Sequence, residues 1–118
     1  MPKIKKQTVE LRFAQGTAAG QYTKREQLDA QMNKAVGYAL YENSHPNAPY
    51  RIRVEDDDQV YQQLTNYQDY LAKADTDKNG RYSPCDIPAK TNYVTITVQI
   101  FAPLPAALDG DFVFLLQD

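Results

Sequence analysis

The chain of 118 residues has one cysteine, one histidine, no tryptophan and a small net charge. Because Cys85 has no second thiol to pair with, an internal disulfide is excluded, and nothing in the sequence requires an oxidising compartment. No apolar run approaches the roughly 20 residues of a membrane span. The basic segment 1–6 is not followed by an apolar stretch, so we predict no signal peptide and expect synthesis in the cytoplasm.

The charge balance offers little attraction for polyanions. A formal charge of -2 and a pI near 5.3 give no overall pull towards nucleic acid or anionic membranes. One sheet face carrying Arg12, Arg51, Arg53, Tyr93 and Phe101 would combine cations with stacking aromatics. However, acidic neighbours dilute that charge and no RNP-like motif is visible. We therefore expect neither a nucleic-acid partner nor a membrane partner.

Four segments have the residue pattern of β-strands. Three alternate apolar and polar residues, and the fourth is apolar throughout. They are residues 3–14 (Val9, Leu11 and Phe13 on one face), 50–55 (Tyr50, Ile52 and Val54), 93–101 (Val94, Ile96, Val98 and Ile100) and 112–116. Because the last segment is apolar on both faces, it is either central in a sheet or covered by something outside this chain.

Two other segments have the pattern of amphipathic helices. Thr23 to Glu26 has capping-box spacing, and Asp56 to Asp58 could cap a second helix at the positive end of its dipole. The apolar stripes are Leu28, Met32, Ala35, Val36, Ala39 and Leu40 in the first helix, and Val60, Leu64, Tyr67, Leu71 and Ala74 in the second. The sequence therefore predicts one α+β domain over residues 1–118. It is a two-layer β-α-β-α-β-β sandwich with both helices on one face of a mostly antiparallel four-stranded sheet.

The stretch from 75 to 86 has the spacing of a calcium loop. Such a loop takes oxygen ligands from positions 1, 3, 5, 7, 9 and 12 and needs glycine at position 6, which is Gly80 here. The predicted metal ligands are Asp75, Asp77, Asn79, the carbonyl of Arg81, Ser83 and Asp86. The alternative is a polar helix-to-strand turn, since Asp, Asn, Gly, Ser and Pro all favour turns.

This stretch, and no other, resembles a calcium loop of the EF-hand or dockerin type. Dockerin loops tend to close with Asp and to place Ser or Asn at position 9, as Asp86 and Ser83 would do here. The resemblance implies Ca²⁺ as the bound ion. Mg²⁺ is the alternative, because the shorter side chain of Asp86 narrows the advantage that calcium gains from a closing Glu.

The sequence contains few groups suited to catalysis. His45 lies in a loop rich in proline and asparagine, and Cys85 has no base beside it in the sequence. The neighbouring carboxylate of Asp86 would oppose thiolate formation. A Cys–His pair formed through the fold is left open, and we predict no catalytic residue.

Nine tyrosines without tryptophan favour a protein that contacts other proteins. Four of them lie off the predicted apolar stripes and are expected to be available for contact: Tyr38, Tyr41, Tyr61 and Tyr70. We therefore predict that the protein is a non-catalytic structural subunit of a larger assembly. It would assemble with copies of itself or with other proteins.

A virion is one setting for such a subunit. A weak calcium loop, with a Kd of about 10⁻⁴ to 10⁻³ M, would be empty in the cytosol and would fill after lysis. The alternatives are a calcium-responsive regulatory or adaptor domain and a small metal- or Cys-dependent enzyme.

Overall fold

The protein is a sandwich of two four-stranded antiparallel sheets in the computed structural model, which describes residues 4–57, 59–71, 82–90 and 92–118. One turn of 3-10 helix, Tyr67–Asp69, follows the fifth strand. The strands are β1 (Ile4–Phe13), β2 (Gly20–Gln27), β3 (Lys34–Ser44), β4 (Tyr50–Asp56), β5 (Val60–Asn66), β6 (Ser83–Pro88), β7 (Tyr93–Ile100) and β8 (Leu108–Gln117).

The strand order is that of a jelly roll. Sheet A has the order β1-β8-β3-β6 and sheet B the order β2-β7-β4-β5, and all sheet neighbours run antiparallel. Apart from the β4–β5 hairpin, every connection crosses from one sheet to the other. Eight strands in two such sheets form the double Greek key of jelly-roll proteins.

The predicted α+β sandwich with two helices is wrong. The segment expected to form the first helix contains the end of β2, a connecting loop and most of β3, and the segment expected to form the second contains β5 and the 3-10 turn. β6 was not predicted, and β8 begins at Leu108, before the predicted apolar segment 112–116. No helix in the described part of the chain is long and apolar enough to cross a bilayer.

The strands predicted from alternation are confirmed as β1, β4 and β7. In β7, the four predicted inward residues, from Val94 to Ile100, are all at most 2 % exposed. The segment 112–116, which is apolar on both faces, is part of β8. This strand lies between β1 and β3, so of the two predicted alternatives the central position in a sheet is the correct one.

The space between the sheets is filled by large side chains. The rings of Tyr38, Tyr70 and Phe112 all contact one another, with centroids 5.6–5.7 Å apart, and Phe114 is 5.3 Å from Phe112. Tyr38 and Tyr70 are thus core residues, and the prediction that they are available for contact is wrong. Tyr41 and Tyr61 are half-buried. Because aromatic rings fill the centre, the interior is a packed core and the remaining candidates for function are on the outside.

Candidate interaction surfaces

The predicted calcium loop is described only at its end. Four of its six ligands lie outside the described residues: Asp75, Asp77, Asn79 and Arg81. Ser83 and Asp86 lie in β6, where an EF-hand would begin its second helix. Residues three apart on a strand point to opposite faces, so these two side chains cannot both reach one ion while β6 is regular. Among the described residues, no group of three His, Cys, Asp or Glu side chains could hold a metal.

Cys85 and His45 lie beside opposite ends of β3. The Cys85 thiol donates to the carbonyl of Ala35 at 3.4 Å, and burial, with a further contribution from Asp86, raises its pKa to about 12. His45 lies just beyond the far end of the strand, with Nδ1 2.8 Å from Oε2 of Glu42. Ten residues of strand separate the two by roughly 30 Å. The described geometry therefore forms no Cys–His pair.

Glu42 ties the His45 loop to the core. Its Oε2 also accepts a hydrogen bond from the hydroxyl of Tyr50 at 2.7 Å, and the Tyr50 ring stacks on Tyr67 at 4.5 Å. Burial and this hydrogen bond both raise the pKa of Tyr50, so its hydroxyl stays protonated. The Glu42 carboxylate thus contacts both the His45 ring and the buried Tyr50 hydroxyl, and these two contacts anchor the His45 loop to the core.

The outer face of sheet B carries three arginines beside two aromatic rings. Arg25 lies over Tyr93 with its guanidinium carbon 3.9 Å from the ring centroid, and Arg51 lies over Phe101 at 5.2 Å. Phe101 is 48 % exposed. Arg53 lies between these two stacks in the sheet.

Four of the five residues predicted to share a face do so, namely Arg51, Arg53, Tyr93 and Phe101. The fifth, Arg12, is on the other sheet, where it is paired with Asp109.

On the outer face of sheet B, three polar atoms have no hydrogen-bond partner within the described structure: Arg53 Nε, Thr97 Oγ1 and Gln99 Oε1. All three atoms are shielded from solvent, and Thr97 as a whole is 0 % exposed. Arg53 lies directly opposite Thr97 in the sheet, and Gln99 is two residues further along β7. Each buried polar atom without a partner lowers the free energy of unfolding by about 1–3 kcal/mol. Sequence reasoning missed Thr97 and Gln99, because both look like ordinary polar residues of an alternating strand.

The apolar part of the outer face of sheet A is covered by the chain itself. Val113 and Leu115 of β8 are each 7 % exposed, because Tyr82 and Tyr41 lie over them with their rings 6.3 Å apart. Gly37 of β3 leaves room for Tyr82, since a Cβ there would lie 2.9 Å from the Tyr82 Cβ. The apolar outer side of β8 is thus buried within this chain.

Family models, curated proteins and solved structures give no match to this sequence or fold.

Proposed function

We propose that the protein is a non-catalytic structural subunit that assembles with protein partners, including copies of itself, as in the shell of a virion. The jelly roll supports this reading, because virus capsid subunits are among the proteins built on it. Lectin domains and cupins share the architecture, so this support is an analogy at the level of the fold. The packed interior argues against a cupin-like site, since such a site needs space between the sheets.

The outer face of sheet B carries the proposal. Three shielded polar atoms without partners are a cost that an isolated domain does not recover, whereas a partner that supplies a donor and acceptors removes it. The surrounding arginines and the exposed Phe101 are of the residue types enriched at protein interfaces. A partner that contacts this face would bury Phe101 and, by displacing the side chains that shield them, would complete the hydrogen bonds of Thr97 and Gln99.

Calcium is the proposed cofactor, held within residues 75–86. That segment runs from the β5–β6 connection, which crosses from sheet B to sheet A, into β6. An ion bound there would tie the edge strands β5 and β6, one from each sheet, together. The strand geometry at Ser83 and Asp86 allows one of these two side chains to take part.

Replacing Thr97 with valine tests the proposal with nearly no change of shape. We expect Thr97→Val to raise the free energy of unfolding by about 1–2 kcal/mol, because it removes an unsatisfied hydroxyl, and to weaken assembly. Urea unfolding and the concentration dependence of the mass by light scattering measure the two effects.

Thr95→Val is the matched control, since Thr95 is a half-exposed threonine on the same face. Thr95→Val should change neither the free energy of unfolding nor the extent of assembly much. Unchanged assembly in Thr97→Val would overturn the assignment of this face as an interface.

A further inference from the structure

We propose that β1 pairs antiparallel with β1 of a second copy, around a two-fold axis at Thr8, so that two four-stranded sheets A become one eight-stranded sheet. This inference rests on the proposed function and names the surface and the partner for one contact of the assembly. A two-fold contact uses the same patch on both copies, so β1 must be complementary to itself.

β1 differs from the other three edge strands of the sandwich. β2 points two charged residues towards the core side, Lys24 opposite Ile96 and Glu26 opposite Val94. β6 contains Pro84 and Pro88, and the β4–β5 pairing is interrupted by two register shifts. Inward charges, prolines and bulges are the means by which proteins prevent edge-to-edge pairing.

β1 lacks prolines and bulges, and its one charge on the core side, Lys5 opposite Leu116, is paired with Asp29 of the β2–β3 connection. It is ten residues long, contains no proline, and pairs with β8 without any shift from Ile4 to Phe13. A long, regular edge of this kind is a template for another strand.

The free edge of β1 opens to solvent. No backbone hydrogen bond joins β1 to a described segment other than β8. A cleft of about 290 Å³ separates residues 8–10 of β1 from residues 24–26 of β2. The side chain of Gln7 accepts from the amide of Asp29 at 3.0 Å and donates to the carbonyl of Gln27 at 2.7 Å. These bonds fix the β2 end beside β1 without using the β1 backbone.

The charges on β1 select one register. Even-numbered residues of β1 share the outer face, since Thr8 lies opposite Val113 of the outer cluster. In an antiparallel pair centred on Thr8, Lys6 of each copy faces Glu10 of the other. A pair centred on Val9 would place Lys6 against Arg12, and one centred on Gln7 would place it against Thr8. Opposite charges directly across a pair stabilise a sheet and like charges destabilise it, so the Thr8 register is favoured.

Charge reversal tests the register. Lys6→Glu or Glu10→Lys places like charges across both ends of the contact, and each should raise the dissociation constant of the dimer at least tenfold. The double variant Lys6→Glu/Glu10→Lys restores opposite charges and should return the constant to within about threefold of the original. Lys34→Glu on β3 and Lys90→Glu just after β6 are the controls with no expected effect, because both side chains are exposed and lie at least two strands from β1.

Disulfide cross-linking through a cysteine at the two-fold axis is a second, independent test of the Thr8 register. In a Cys85→Ala background, Thr8→Cys should form a disulfide-linked dimer under mild oxidation, because residues opposite each other at the axis lie within the Cα separation of a disulfide. Glu10→Cys, which faces Lys6 instead of itself, should not.

The two proposals fail in different ways. If the protein assembles but the charge reversals leave its mass unchanged, or Glu10→Cys links as readily as Thr8→Cys, then β1 pairing is overturned and the assembly role stands. If the protein is a monomer at every concentration, both are overturned.

Discussion

At the scale of single residues, Gly37 and Tyr82 decide whether the outer side of β8 stays covered. We expect Gly37→Ala to lower the free energy of unfolding by about 1–3 kcal/mol, because its Cβ would overlap that of Tyr82 and displace the ring from Val113 and Leu115. Urea unfolding measures the loss.

The same substitution made together with Tyr82→Gly isolates this contact. Without the Tyr82 Cβ, the additional cost of Gly37→Ala should fall to a few tenths of a kcal/mol. Tyr82→Ala is unsuitable because it keeps the Cβ. A Gly37→Ala protein as stable as the original would show that the close approach has no energetic importance.

The thiol of Cys85 provides a residue-scale test of the packing between β6 and the core. A pKa of about 12 means that the folded protein holds almost no thiolate near neutral pH. Because only the thiolate is alkylated, the rate with iodoacetamide should keep rising about tenfold per pH unit up to pH 10 or beyond in the folded protein. In urea it should level off near pH 9. A plateau below pH 9 in the folded protein would contradict the burial of this side chain.

At the scale of elements, Asp56 holds the β4–β5 turn. Its carboxylate accepts from the amide of Gln59 at 2.9 Å, the hydroxyl of Tyr61 at 2.5 Å and the side-chain amide of Asn92 at 3.0 Å. We expect Asp56→Ala to destabilise the fold by about 2–4 kcal/mol, because these donors lose their acceptor. Asp57→Ala is the adjacent control. Its side chain is 71 % exposed, so it should cost under about 1 kcal/mol in the same urea titration.

The role of Asp56 shows how local chemistry can be predicted while the element is not. Three acids before an apolar stretch indicate that a side chain accepts from a nearby backbone amide, and Asp56 does accept from Gln59. The same bond closes an Asx turn in a hairpin as well as the first turn of a helix. Only the pairing of β4 with β7 and β5 decides between them, and that is a long-range contact.

Strands with one solvent face could be predicted from alternation, and β3 could not. β3 is flanked by β8 and β6 and covered on both faces, so it has no polar side to alternate with. The register shift between Ala35 and Gly37 also resets its alternation. Apolar residues at 28, 32, 35, 36, 39 and 40 then fall by coincidence at helical spacing, while Leu28 and Met32 are core residues of the β2–β3 connection.

The candidate surfaces were harder to predict than the strands. Arg51, Arg53, Tyr93 and Phe101 could be assigned to one face because alternation fixes which side each occupies. The absence of hydrogen-bond partners for Thr97 and Gln99 could not be predicted, since it depends on which residues lie opposite them on the neighbouring strands. The Lys6–Glu10 complementarity is present in the sequence, but it has meaning only once β1 is known to be an edge.

At the scale of the whole molecule, a packed jelly roll leaves recognition to its outside. Tyr82 and Tyr41 cover the apolar part of one outer face, the other face carries unpaired polar atoms together with arginines and aromatic rings, and one edge is regular and open. A subunit that binds one partner through the outer face of sheet B and another through the edge strand β1 can contact two neighbours at once. Two distinct contacts per chain are what a closed shell requires beyond a dimer.

The most direct test is the mass of the native protein by light scattering after size exclusion, in EDTA and in millimolar calcium, as the concentration is raised from about 1 to 200 µM. The account predicts a mass that rises above 13.4 kDa to a dimer and then to larger assemblies, with calcium stabilising the same species. A mass of 13.4 kDa at every concentration in both buffers would contradict it.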